Sequence, residues 1–402
     1  MKAIEIAKDV YWVGVIDWNI RDFHGYSTYE GSTYNAFLIM DEKITLIDTV
    51  KHGFFGELME RISSVVDPRD IDYVISNHTE MDHSGCLPMV MDRIGKDKPI
   101  YCSKIGKKNL SMHFSENFNY IDVENGSEIS IGKKKIRFME TRMLHWPDSM
   151  FSYLVDEHIL FSSDAFGQHY ASTERFDDQV DDTFIMFHAK KYFANIILPF
   201  APLVLKLLDK VQEMGLKIDM ICPDHGILWR TKEAMSRIMD AYSRWSIQEP
   251  GRKVLVIYDT MWHSTEKMAE AIVEAIGEEG ISVKLINIRK WHRSDIMTEV
   301  LDSGAILIGS PTINNGLFPT VSDILTYMKG LRPKNKIGAA FGSYGWSGEA
   351  VKLINKELEE MKFEIIDPGI RFQFVPEKEI LSKCRELGKR VADALKEKTK
   401  EG

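Results

Sequence analysis

The chain has 402 residues, 44% of them hydrophobic, and a formal net charge of −9. That length points to two domains with cores of their own, and acidic residues interleaved with basic ones, without any Lys/Arg block, exclude nucleic acid as the expected partner. Charges at Lys2, Glu5, Lys8 and Asp9 interrupt any signal-peptide core, and no unbroken apolar run reaches the roughly 18 residues of a membrane span, so the expectation is a cytoplasmic protein with no membrane contact.

Runs rich in β-branched and aromatic residues at 11–15 (YWVGV), 33–40 (TYNAFLIM), 44–50 (ITLIDTV), 73–77 (YVISN), 136–141 (IRFMET), 153–163 (YLVDEHILFSS) and 219–224 (DMICPD) read as strands. Helical patterns at 54–66 and 202–215 lie among them, the second closing on a Gly215 cap. This part reads as a sandwich of sheets and helices. A Pro-Gly break within 248–253 (QEPGRK) separates it from a different pattern. There KVLVIYD, SVKLINI, GAILIGS and KIGAAFGS are continuous apolar strands, each followed by a loop and a helical stretch, which predicts a doubly wound parallel sheet. The expected domains are 1–249 and 250–402. Cys86, Cys102, Cys222 and Cys384 form no C-x-x-C pair, which excludes a rubredoxin-type or zinc-ribbon module and predicts buried, reduced thiols.

The loop 77–85 (NHTEMDHSG) follows the strand YVIS and carries His78, Glu80, Asp82 and His83. So many ligand-type groups on one short loop are costly unless a cation holds them. His145 in MLHWPDS, Asp164 in LFSSDAFG and His225 in CPDHG lie just after predicted strands or in nearby loops. Any one of these histidines alone reads as a structural residue; beside the loop cluster, the seven suit two metals sharing a carboxylate. Their order resembles that of metallo-β-lactamase superfamily hydrolases, which bind two zincs through His-x-His-x-Asp-His, a later His, a bridging Asp and a final His. Here Glu80 stands where the second loop His would be. A carboxylate is a harder ligand, so the expected metal is iron and the expected chemistry is redox.

In the second domain, 258–272 (YDTMWHSTEKMAEAI) runs from a buried strand through a hydroxyl-bearing loop into a helix. Thr260, Ser264 and Thr265, with the helix N-terminal amides, can hold a terminal phosphate without Lys or Arg, and the lack of G-x-G-x-x-G favours a mononucleotide, FMN. Met261, Trp262 and His263 complete that loop. The loops 309–316 (GSPTINNG) and 341–349 (FGSYGWSGE) should converge on the same end of the sheet, so Ser310, Pro311, Thr312, Ile313, Asn314, Asn315 and Gly316, together with Ser343, Tyr344, Gly345, Trp346, Ser347 and Gly348, are candidate flavin contacts. Trp262, Tyr344 and Trp346 are placed to cover the isoalloxazine faces.

Taken with RDFHGY (21–26), GSTYNA (31–36), MLHWPDSMF (143–151), DAFGQH (164–169) and DTMWHSTEKMA (259–269), these motifs resemble the flavodiiron proteins over essentially the whole chain. The resemblance implies a metallo-β-lactamase-like αββα sandwich followed by a flavodoxin-like domain. It implies that His78, Glu80 and His145 hold one iron, that Asp82, His83 and His225 hold the other, and that Asp164 bridges them. It leaves His83 two positions, on the iron or turned aside with water in its place. It further implies reduction of dioxygen to water, of nitric oxide to nitrous oxide, or of both, in protection of an anaerobe. The electron donor would be separate, a rubredoxin or reduced coenzyme F420. The flavin of one subunit would face the metals of its partner in a head-to-tail homodimer, or a pair of such dimers. His24 and Tyr192 are candidate hydrogen-bond donors to the gas pocket. Two other readings compete: a dizinc hydrolase fused to a flavodoxin domain, against which Glu80 speaks, and an electron carrier with a vestigial metal site, against which the complete ligand set speaks.

Overall fold

The computed structural model describes residues 1–400. The chain divides into two compact units: Met1–His24, Thr28–Phe193 and Pro202–Ser243 form one, and Gly25–Ser27, Ala194–Ala201 and the chain from Arg244 onward form the other.

In the first unit a seven-stranded mixed sheet runs in the order Ile4–Ala7, Val10–Trp12, Phe37–Ile39, Thr45–Ile47, Tyr73–Ser76, Pro99–Ser103, Asn119–Val123. A five-stranded sheet, Glu128–Ser130, Lys135–Glu140, Met150–Leu154, Ile159–Phe161 and Met220–Cys222, packs against it. Side chains alternate across a strand, and that alternation sorts the two cores. Phe37, Ile39, Ile47 and Ile75 point between the sheets with Phe138, Leu154 and Phe161, whereas Leu38, Leu46 and Val74 face outward under Leu58, Ile62, Val90 and Leu110 of the covering helices. The helices start where caps are supplied: Ser103 accepts from Gly106 N and Asp181 from Phe184 N.

Three runs expected as single strands are each divided, residues 153–163 by a turn between Met150–Leu154 and Ile159–Phe161. Residues 11–15 break between Val10–Trp12 and Val15–Asp17, because a Cβ at Gly14 would lie 2.4 Å from Tyr34 O and only glycine permits that approach. Residues 33–40 break between Ser32–Tyr34 and Phe37–Ile39, where Asn35 turns its amide onto residues 223 and 226. The thiols of Cys86, Cys102, Cys222 and Cys384 are free and buried, as their scatter predicts.

The second unit is a parallel sheet in the order Ser282–Asn287, Lys253–Tyr258, Ala305–Gly309, Ile337–Tyr344, Glu364–Ile365, with Ile370–Gln373 also pairing with Ile337–Tyr344. The first strand in the chain, Lys253–Tyr258, lies between the second and the third, so the connections leave it in opposite directions. The loops after Tyr258 and after Gly309 therefore border a crevice, the place where open α/β sheets bind ligands. Among the described residues one helical run, Asp182–Glu213, is long and apolar enough by composition to cross a membrane, although charged residues interrupt it. Tyr192, Phe193, Ala194, Ile197 and Val204 of this run are buried in the protein core.

Candidate metal centre and flavin site

The strand Tyr73–Ser76 ends at the loop that carries His78 and Glu80, and the short helix Met81–Ser84 turns Asp82 and His83 the same way. His145 comes from the connection between Lys135–Glu140 and Met150–Leu154; Asp164 and His225 follow the ends of Ile159–Phe161 and Met220–Cys222. Seven residues from four separate stretches of the sequence thus meet in one cluster.

Asp164 divides the group. Its Oδ2 lies 3.1 Å from His78 Nε2 and 3.2 Å from His145 Nε2, while its Oδ1 lies 3.5 Å from His225 Nε2. On the first side Glu80 Oε2 is 3.1 Å from His145 Nε2. On the second, Asp82 Oδ2 is 3.2 Å from both His83 Nε2 and His225 Nε2, and those two nitrogens are 3.1 Å apart. His83 thus turns its Nε2 into the cluster. Ligand-type atoms gather within 4.8 Å of one another as Glu80, His145 and Asp164 on one side and as Asp82, His83 and His225 on the other.

The donor set fits metal ions. Among the described residues, His78 Nε2, both oxygens of Asp82 and Asp164 Oδ2 are buried without a well-formed hydrogen bond, a costly arrangement unless they ligate something. Burial alone would raise the carboxyl pKa of Asp164, but His78 and His145 hold it well below the usual range, and His83 and His225 do the same for Asp82. Burial would lower His145, yet Asp164 and Glu80 raise it to about 10. The carboxylates of Asp82 and Asp164 therefore persist as anions although both are buried.

The outward nitrogens of two imidazoles are fixed by neighbours the sequence did not single out. His225 Nδ1 donates to Thr33 O at 2.7 Å, which leaves Nε2 as the lone-pair nitrogen, and His78 Nδ1 has Ser163 Oγ at 3.0 Å and Asp224 Oδ2 at 3.4 Å. Of the two candidate pocket donors, Tyr192 is buried and donates to Asp164 Oδ1 at 3.0 Å, while the exposed His24 lies 3.5 Å from Glu80 Oε1. His169, also unremarked in the sequence, has Nδ1 2.8 Å from Ser32 Oγ and its ring 4.6 Å from that of His225.

In the second unit a cavity of about 500 Å³ opens at the sheet's carboxyl edge. Met261, Trp262 and Ser264 line it from the first loop, Pro311, Thr312, Ile313, Asn314 and Asn315 from the second, and Ser343, Tyr344, Gly345 and Trp346 from the third. Phe374 and Val375 form a wall that the sequence reading missed. Thr260, His263, Thr265, Ser310, Gly316, Ser347 and Gly348 do not line it. Thr265 instead joins two of the loops through a 2.9 Å contact with Ser343 Oγ, Ser310 Oγ accepts from Phe318 N, and Gly316 closes a turn whose Asn314 and Asn315 both have positive φ. The cavity fits a flavin: aromatic rings flank it, and His263 gives no side-chain cap to the helix Ser264–Glu278, so that the first amides of a helix whose Ser264 lines the cavity are left for an anionic group such as a phosphate.

The ODP family beta-lactamase model matches residues 33–226 and the flavodoxin model residues 256–388. A nitric oxide reductase of Moorella thermoacetica is 47% identical over 97% of this chain and 98% of its own length. The solved rubredoxin oxygen:oxidoreductase of Desulfovibrio gigas superposes with a TM-score of 0.97 at 43% identity, covering 99% of this chain and 100% of that one. The solved flavodiiron protein of Giardia intestinalis gives 0.96 at 34%, covering 100% and 98%. The chain belongs to the flavodiiron proteins. For a flavodiiron protein the two sites divide the labour: the first unit gathers hard, anionic ligands, and the second offers a cavity shaped for FMN.

Proposed function

We propose that this chain is an oxidoreductase that reduces dioxygen to water, nitric oxide to nitrous oxide, or both, with FMN in domain 250–402 relaying electrons to a di-iron site in domain 1–249. The observation that carries this reading is the split carboxylate of Asp164, which offers one oxygen to each of two ligand sets. His78, Glu80 and His145 would hold one iron, Asp82, His83 and His225 the other, with Asp164 between them. Bound there, the irons and FMN supply two plus two electrons for dioxygen, or two for a pair of nitric oxide molecules.

The chain's own groups set the conditions for that chemistry. Thr33 O and Ser163 Oγ keep the outward nitrogens of His225 and His78 occupied, so their Nε2 atoms face inward. Tyr192 donates to Asp164 Oδ1 and orients the bridge, and His24 stands at the exposed side of Glu80 as a donor toward the pocket. Trp262 and Trp346 remain 87% and 76% exposed at the flavin cavity, which supports a head-to-tail homodimer, or a pair of them, that would cover this rim. The names of relatives support a rubredoxin as external donor; reduced F420 is the other candidate. The expected compartment is the cytoplasm.

The test is direct. The purified protein should hold about two irons and one FMN per chain, sediment at a multiple of 46.2 kDa, and consume one or both gases when each donor is supplied. Stoichiometric zinc with no redox-active iron after growth in iron-replete medium would favour the dizinc hydrolase instead.

A further inference from the structure

We propose that Thr33 and Asn35 are positioning residues that make the Asp82, His83 and His225 half of the metal centre the tightly held half, so that the metal beside His145 and Glu80 exchanges first. The inference rests on the di-iron reading above. It comes from a motif that the ligand set leaves unused, GSTYNA at 31–36.

This segment grips the loop Pro223–Gly226 at every residue. Asn35 Nδ2 donates to Pro223 O at 2.7 Å and to Gly226 O at 3.1 Å, and Asn35 N donates to Asp224 O at 2.8 Å. Gly226 N donates to Thr33 Oγ1 at 2.7 Å, and His225 Nδ1 donates to Thr33 O at 2.7 Å. Asn35 cannot flip its amide, because Trp12 Nε1 donates to Asn35 Oδ1 at 2.8 Å and a flip would set donor against donor. Thr33, Asn35 and Trp12 are completely buried. Gly226 suits the grip in its turn: its φ is +82°, and a Cβ there would lie 2.0 Å from Gln168 Oε1. A buried network in which each member is paired has one arrangement, so His225 is fixed in place, ring orientation and tautomer at once.

The other half is covered only at His78, whose side chain is fully buried with Ser163 Oγ 3.0 Å from its Nδ1. The side chains of its other two ligands, His145 and Glu80, are 21% and 12% exposed, against 0% for His83, 4% for Asp82 and 2% for His225. A chelator or water reaches the His145 side first. On the His225 side release requires the loop to open, and that opening breaks the hydrogen bonds to Thr33 and Asn35.

The experiment follows iron release from the holoprotein into an excess of a coloured Fe(II) chelator, anaerobically after reduction. The wild type should release its metals in two phases. Thr33→Val removes the acceptor of Gly226 N at constant shape, and Asn35→Asp removes both side-chain donors to the loop. Each should speed the slow phase about 10- to 100-fold, the usual effect of losing support behind a ligand, while the fast phase and the flavin spectrum stay unchanged. Thr33→Ser, which keeps the hydroxyl, should restore the slow phase. If Asn35→Asp does not fold, the Thr33 pair decides alone. A single phase in the wild type, or equal acceleration of both phases in Thr33→Val, would overturn the proposal; the second result is what a merely structural residue gives. Protein that purifies without two metals would overturn the di-iron reading itself, and this inference with it.

Discussion

Glu80 is the residue on which the choice between zinc hydrolysis and iron redox chemistry turns. Its Oε2 lies 3.1 Å from His145 Nε2, at the position where the hydrolase loop has an imidazole. A third carboxylate beside Asp82 and Asp164 adds negative charge that favours a higher oxidation state. Glu80→His should therefore shift metal content toward zinc and lower gas reduction on the order of 100-fold or more, since even residues behind a ligand cost 10- to 100-fold, with FMN binding normal. Iron retention at full activity, measured by elemental analysis and gas consumption, would show that the carboxylate does not set the metal. All seven candidate ligands were legible as candidates because their types and order are unusual for a loop, an inter-strand connection and two strand ends. Thr33, Ser163 and Asp224 were not, because a backbone carbonyl, a serine and a buried aspartate gain meaning only when folding sets them against His225 and His78. Phe374 and Val375 escaped for the same reason: nothing local marks residues after the strand Ile370–Gln373 as a cavity wall.

At the scale of elements, the strands of the second unit were readable as continuous apolar runs, since a parallel sheet is covered on both faces. The divided strands of the first unit were not, because the breaks at Gly14 and Asn35 answer to distant backbone that the local pattern does not contain. The helix Lys378–Lys398 packs on Ser264–Glu278, the helix whose Ser264 lines the flavin cavity. Their contact depends on Gly388, where a Cβ would lie 2.7 Å from Ile272 O and 3.0 Å from Ala275 Cβ. A backbone carbonyl cannot move aside as a side chain can. Gly388→Val should accordingly destabilise the second unit by about 1–3 kcal/mol, read as a lower urea midpoint for loss of flavin fluorescence change, with iron content unaffected. An unchanged midpoint would mean that the helices part at no cost.

For the whole molecule, the alternation of patterns around residue 250 announced two domains, but not that Gly25–Ser27 and Ala194–Ala201 join the second unit. Those segments are joined to it by side-chain contacts such as Ser27 Oγ with Ser294 Oγ at 2.8 Å, Asn195 Nδ2 to Ser294 O at 3.0 Å and Tyr327 OH to Asn195 Oδ1 at 3.0 Å, which no periodicity encodes. The central claim is that flavin electrons reach the gas through the metal centre bridged by Asp164. Free reduced flavin gives dioxygen only two electrons and yields peroxide, whereas the coupled centres yield water. The most direct measurement is anaerobic reduction of the protein followed by rapid mixing with dioxygen, recording flavin reoxidation and peroxide together in the wild type and in Asp164→Ala. The account predicts fast reoxidation without peroxide in the wild type, and slow reoxidation with peroxide in the variant. Equal rates with peroxide from both proteins would contradict it.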